Sequence, residues 1–263
     1  MKYQVRWTPR PGFSSLAQPG DAGLKHLGFG LLSLAQGEKH ALIPGARETA
    51  LVLLKGTVAI SGGGLSRQVI GPRKDLFGDR PWTVMLPAQS GCDIEAIDDA
   101  EVAVCQAPSS LRGEARVIPP DKVKEVTLGK ANWTRRALMM VDENVPAELL
   151  FIGEAIVPSG NWASFPPHRH ERDALPSEVE MEEIYHFRFD RPKGFGIQKI
   201  YTDDGSIDET ITVRERDTIL IPRGYHPVVT APGYSMYYLW IMAGQNRRFL
   251  SSIDPDHRWI LQA

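Results

Sequence analysis

FPPHRHERDALPSEVEMEEIYHFRF, residues 165–189, holds three of the chain's seven histidines. His168 and His170 stand one residue apart, and a run of glutamates leads on into an aromatic-rich segment. In a strand, side chains at i and i+2 share a face, so two such imidazoles lie within chelating reach of one ion. Imidazole is the commonest neutral nitrogen ligand for transition metals, although HxH alone is equally compatible with two polar surface residues. Read as a strand, EEIYHFRFD puts Glu183, Tyr185, Phe187 and Phe189 on one face and Glu182, Ile184, His186 and Arg188 on the other. The aromatic face is the one to bury, which turns Glu183 inward. A buried carboxylate needs a partner, and a metal ion is the simplest one. His186 then faces away, in a structural or surface role.

Working outward, short segments rich in β-branched residues recur along the chain, bounded by Gly, Pro, Asp or Ser. ALVLLKGTVAIS, WTVMLP, CDIEAID and EVAVCQA read as strands in the first half, and ELLFIGEAIVP, FGIQKIYTDD, ETITVRERDTILIP and YSMYYLWIMAG in the second. The 24 glycines and 20 prolines fall in short clusters between them, the punctuation of an all-β sandwich or barrel. Helical periodicity is scarce, and its best candidate, PPDKVKEVTLG, is short. The halves can be laid over one another: ETALVLL from Glu48 and EEIYHFRF from Glu182 each open a strand with a carboxylate. This implies a duplicated β-domain with a connector around residues 109–136. The first copy has a lone His40 where the second has its histidines, so it is expected to hold no metal.

Lys and Arg total 30 against 32 Asp and Glu, a net charge of -2, so no basic excess points to nucleic acid or an anionic membrane. A small molecule or a second copy in a homo-oligomer is the expected partner. No apolar run is long enough to span a bilayer and no signal-peptide pattern opens the chain, from which a cytoplasmic location is expected. Cys92 and Cys105 are too few for a disulfide framework or a CxxC zinc site and read as buried thiols.

His226, in LIPRGYHPVVTAPG, follows a strand that ends in Pro222 and a glycine turn. With His168, His170 and Glu183 it would complete three imidazoles and a carboxylate, leaving positions open on a divalent ion as catalysis requires. The strings VPSGNWASFPPHRHERD, EEIYHFRFDRPKGFGIQKIYTDDG and RDTILIPRGYHPVVTAPGYSMYYLWIMAG resemble the 5-deoxy-glucuronate isomerases, bicupin enzymes of bacterial myo-inositol breakdown related to the uronate isomerase of pectin breakdown. The likeness is dense from about residue 147 to 245 and looser before. It implies two jelly-roll cupin barrels, residues 1–125 without metal ligands and residues 126–263 catalytic. The ligands it carries over are His168, His170, Glu183 and His226, with Glu182 an alternative because of the insert ERDALPSEVEME, a solvated loop or a flap. The metal is expected to be Zn or Mn, with Fe, Co or Ni also accepted by such ligands. The activity implied is aldose–ketose isomerisation of 5-deoxy-D-glucuronate to 5-dehydro-2-deoxy-D-gluconate, by an enediol or a hydride shift. The readings set against it are an iron-dependent cupin dioxygenase and a non-catalytic sugar-binding cupin. Lys199 and Tyr201 are candidates for general acid–base work, beside Gln198, Tyr237 and Tyr238, and Arg223 or Arg172 for binding the substrate's carboxylate.

Overall fold

The computed structural model describes residues 2–43 and 45–262, and every strand pairing in it is antiparallel. Helix is confined to short 3-10 turns among the described residues. PPDKVKEVTLG is not helical beyond one such turn, Pro120–Lys122. Its β-branched continuation, Lys124–Leu128, pairs as a strand with Arg135–Val141.

Two large sheets carry the architecture, and they share one strand order. In the first half it runs Arg116–Ile118, Thr83–Leu86, Arg47–Gly62, Ala100–Pro108, Gly28–Leu34, Gly12–Ala17. In the second it runs Gln4–Arg6, Asp217–Ile221, Glu182–Phe189, Met236–Ala243, Leu150–Val157, Arg135–Val141, with Lys124–Leu128 added at the far edge. Each curls against a smaller set of strands to close a jelly-roll barrel. In the second half the smaller sheet is Trp162–Ala163, Val228–Thr230, Phe195–Tyr201 and Asp208–Arg214. The chain's first strand, Gln4–Arg6, pairs with Asp217–Ile221 and so belongs to the second barrel. A cut at residue 125 leaves that strand on the wrong side and divides Lys124–Leu128, because strand addition across the barrels, not chain order, decides membership.

The barrels pack large sheet against large sheet, so the central strands are buried on both faces. Along Met236–Ala243, Tyr237, Leu239 and Ile241 enter the core between the barrels, while Tyr238, Trp240 and Met242 enter the second barrel. Along Arg47–Gly62, Ala50 and Val52 enter the shared core, and Leu51 and Leu53 fill the first barrel. Both cysteines are free and buried, Cys105 in the shared core and Cys92 inside the first barrel.

Paired charges cross this interface. Arg73 of the first barrel and Glu154 of the second form a two-pronged pair, 2.7 Å on each prong, with both side chains fully buried. The Tyr237 hydroxyl donates to the same carboxylate at 2.7 Å, and Arg73 also donates to the Leu53 carbonyl at 2.9 Å. Burial opposes the charge on Arg73, but Glu154 more than offsets it and holds the guanidinium protonated. Nearer the rim, Glu101 accepts from Arg188 and Arg216. Removing one partner of a buried pair leaves an uncompensated charge, so Glu154→Leu is expected to lower the unfolding free energy by about 3–5 kcal/mol, while Arg73→Met with Glu154→Leu recovers most of it. Urea titration of the three variants beside the parent checks this; a double variant no more stable than Glu154→Leu would refute it.

Candidate metal centre

The mouth of the second barrel gathers the histidines. His168 and His170 flank Arg169 at the end of the short His168–Arg169 strand, while Arg169 turns the other way to Asp203 and the Tyr225 ring. Glu183 lies on Glu182–Phe189, and His226 follows the Asp217–Ile221 strand through the Gly224 turn. Gly224 has φ +94, and a Cβ there would stand 2.5 Å from the Tyr201 carbonyl, so only glycine fits.

The Glu183 Oε2 oxygen lies 3.1 Å from both His170 Nε2 and His226 Nε2. His168 is a little farther off, its ring centroid 5.0 Å from that of His226 and 6.5 Å from that of His170. All three rings are held by Nδ1: His168 to the Pro166 carbonyl at 3.0 Å, His170 to Met181 at 2.6 Å and His226 to Gly224 at 2.9 Å. A carbonyl only accepts, so each ring donates through Nδ1, which turns its Nε2 toward the cluster, the orientation metal-binding histidines use. Buried His226 Nε2 makes no aligned hydrogen bond despite its closeness to Glu183. An orphaned buried nitrogen beside a carboxylate suits one divalent ion. Among the described residues, His170, Glu183 and His226 form the one group whose ligand atoms all lie close enough to hold a metal.

The electrostatics follow from burial and mutual contact. Burial pushes His168 down to about 3, helped by His226 and His170 beside it. Burial also favours protonated Glu183, but the bond from His170 and the closeness of His226 outweigh it and hold the acid at about 2. His170 is raised, since its bond to Glu183 overcomes its own burial.

A cavity of about 220 Å³ opens beside the cluster, lined by His168, His170, Glu183 and an aromatic wall that includes Tyr185, Tyr238 and Trp240. The Ser164 and Tyr185 hydroxyls stand 2.7 Å apart, and the Tyr185 and Tyr238 rings lie 4.4 Å apart. Burial lifts both tyrosines, Tyr238 to about 12, so they remain protonated donors.

Other residues singled out in the sequence lie elsewhere. Glu182 points away from the histidines and accepts the backbone N–H groups of Lys25, His26 and Leu27 in the first barrel. His186 is buried, bonded to Thr218 and packed on Phe29 across the interface. Lys199 pairs with Asp208 on the barrel's outer side, and the Tyr201 hydroxyl donates to Asp254 at 2.5 Å. Their strand turns Gln198 and Ile200 inward instead. Arg223 is tied to Asp204 and Ser206 at the surface, and exposed Arg172 lies 3.7 Å from Glu171. None of Lys199, Tyr201, Arg223 and Arg172 lines the cavity. The insert ERDALPSEVEME forms a hairpin, Glu171–Ala174 with Glu178–Glu180.

Two contributions were not foreseen from the sequence. The C-terminal segment folds over the second barrel: Ser252–Ile253 pairs with His168–Arg169, and Phe249 stacks near Phe151 and Trp240 to wall the cavity. The second is Arg135, which reaches the cavity from the start of its strand.

This fold and site define a two-barrel cupin protein with its histidine–carboxylate cluster in the second barrel. The chain belongs to the KduI/IolB family, whose model matches residues 10–260. It is 42% identical over 246 residues to a 5-deoxy-glucuronate isomerase of Geobacillus kaustophilus, covering 93% of this chain and 89% of that one. The crystal structure of an IolB-like protein from Salmonella typhimurium LT2 superposes with a TM-score of 0.93 at 31% identity, covering 99% of this chain and all of that one. An oxalate decarboxylase of Lactobacillus farciminis shares the fold alone, with a TM-score of 0.69 at 10% identity over 100% of this chain and 91% of that one.

Gln198 supports His226 from behind, its amide donating to the His226 carbonyl at 2.7 Å and to the Pro227 carbonyl at 3.1 Å. Gln198→Leu should therefore weaken divalent-metal affinity by about 10–100-fold, the range for groups that orient ligands. Competition with a metal indicator measures it; unchanged affinity would show that His226 holds its place without Gln198.

Proposed function

We propose that this chain is a metal-dependent isomerase converting 5-deoxy-D-glucuronate to 5-dehydro-2-deoxy-D-gluconate in myo-inositol breakdown. The observation that carries the reading is the 42% identity, over nearly the whole chain, to a relative named for that reaction. In support of it, a cavity of about 220 Å³ opens directly beside the histidine cluster.

His168, His170, Glu183 and His226 would hold the ion, Zn or Mn, with Fe, Co or Ni also accepted by these nitrogen and oxygen donors. The chemistry a divalent ion supplies when bound there is Lewis acidity toward the carbonyl and hydroxyl oxygens at C1 and C2 of the substrate. The chain's own residues do the rest. The Nδ1 bonds to Pro166, Met181 and Gly224 fix the imidazoles before substrate arrives. Tyr185 and Tyr238, kept protonated by burial, present hydroxyl donors to substrate oxygens, and Ser164 orients Tyr185. Phe249 and the aromatic rings give the cavity an apolar wall beside the cluster. The first barrel, none of whose described residues lines this cavity, supports the second.

Proton NMR of 5-deoxy-glucuronate with the purified protein in D2O tests the reading. Ketose is expected to accumulate with added Zn or Mn, to stop on chelation, and to form equally fast without oxygen. Deuterium at C1 would mark the proton-transfer route. Substrate left unchanged under every divalent metal would end the isomerase assignment, and oxygen consumption would favour the oxygenase. Glu183→Gln and His226→Ala should each leave the purified protein with well under one metal per chain, read by elemental analysis. Full occupancy in both would remove these residues from the ligand set.

A further inference from the structure

Three arginines are buried among the described residues: Arg73, Arg135 and Arg169. Arg73 is paired with Glu154, and Arg169 reaches Asp203 and Glu178. Arg135 meets no carboxylate. Its Nη1 donates to the carbonyls of Phe165 at 3.1 Å and Trp133 at 3.3 Å, while Nε and Nη2 donate to nothing among the described residues. It is 9% exposed, and that exposure opens into the cavity shared with His168, His170 and Glu183. Its unused donors keep their contact with the cavity and form a fork that matches a carboxylate. The cavity wall thus carries a cation, Arg135, in addition to the histidine cluster.

The substrate class proposed above has a matching asymmetry, and this inference rests on that reading. In a 5-deoxyuronic acid, isomerisation takes place at C1 and C2, while the carboxylate is C6, at the other end of the carbon chain. One cavity must then carry two unlike recognition points, one for carbonyl and hydroxyl oxygens and one for an anion. We propose that Arg135 is the residue that binds the substrate's carboxylate, setting which end of the sugar acid faces the histidines and selecting acids over neutral aldoses. Arg223 and Arg172 cannot share this role from their places on the surface outside the cavity. Arg135 touches substrate at the carboxylate only, and no bond is made or broken there.

A competing role is visible on the same side chain. By holding the Phe165 carbonyl, Arg135 also braces the turn that leads to His168. The two roles separate on a pair of ligands, 5-deoxy-glucuronate and its neutral counterpart 5-deoxy-glucose, in which C6 is an alcohol. Both are measured as kcat/KM with the metal-loaded enzyme and as Kd by calorimetry, for the parent, Arg135→Gln and Arg135→Lys. Metal content and melting temperature are followed alongside.

Loss of a charge-assisted pair should lower kcat/KM for the acid by about 10–100-fold in Arg135→Gln, mainly through KM. The neutral aldose should bind the parent weakly and Arg135→Gln within about threefold of that, so the preference for the acid collapses; Arg135→Lys should restore part of it. An equal loss for both ligands, or a fall in metal content that accounts for the loss, would overturn the proposal and leave Arg135 as a brace. If the parent turns over neither compound, the isomerase reading fails, and the calorimetric arm still decides: preference for the acid lost in Arg135→Gln supports Arg135, and preference retained refutes it.

Discussion

Glu182 and Glu183 are neighbours on one strand, and the alternation of a β-strand sends their carboxylates in opposite directions. Glu183 goes to the histidines; Glu182 goes to the first barrel, where it accepts three consecutive backbone N–H groups from Lys25 to Leu27. A one-residue slip would exchange the two and empty the site of its carboxylate. Register in this strand is therefore anchored from outside the barrel that contains the site. The same device recurs in the opposite sense. Glu48, at the equivalent place in the first half, accepts the N–H groups of Glu148, Leu149 and Leu150 at the entry to the second barrel. Each barrel thus closes the backbone of the other with a strand-opening carboxylate.

This reciprocity ties the first barrel structurally to the second. Its sheet buries the outer face of Glu182–Phe189, Met236–Ala243 and Leu150–Val157, the strands that carry or back the cavity. Arg73 and Glu101 extend the contact with buried or half-buried charge pairs, which tolerate little displacement because the pairing must replace lost hydration. The strand Gln4–Arg6 adds to the second barrel's sheet beside Asp217–Ile221, so the chain's start also stabilises the element that leads to His226.

Much of this was readable along the chain. The strands came from short β-branched runs, the duplication from the matching carboxylates Glu48 and Glu182, and the inward face of Glu182–Phe189 from simple parity. Parity was less informative about the other face. His186 read as structural or superficial because an outward side chain usually meets water, whereas here it meets Phe29 of the first barrel. Parity also left the Phe195–Tyr201 strand undecided, since Ile197 and Ile200 fall on opposite faces. The fold turns Ile200 and Gln198 in and leaves Ile197 partly in solvent.

Taken alone, the sequence determined the all-β class and the doubling of the unit, and it nominated His168, His170, His226 and Glu183, with Glu182 as the alternative, because these depend on local spacing and on which residues can bind metal. Only the tertiary structure decided what surrounds them. Lys199 and Tyr201 are turned to the outside and to Asp254, the C-terminal segment becomes a wall of the cavity, and Arg135 enters it from a strand more than thirty residues before the first ligand. Those are contacts between segments distant in the chain, set by how the sheets curl and pack, and no local pattern encodes them.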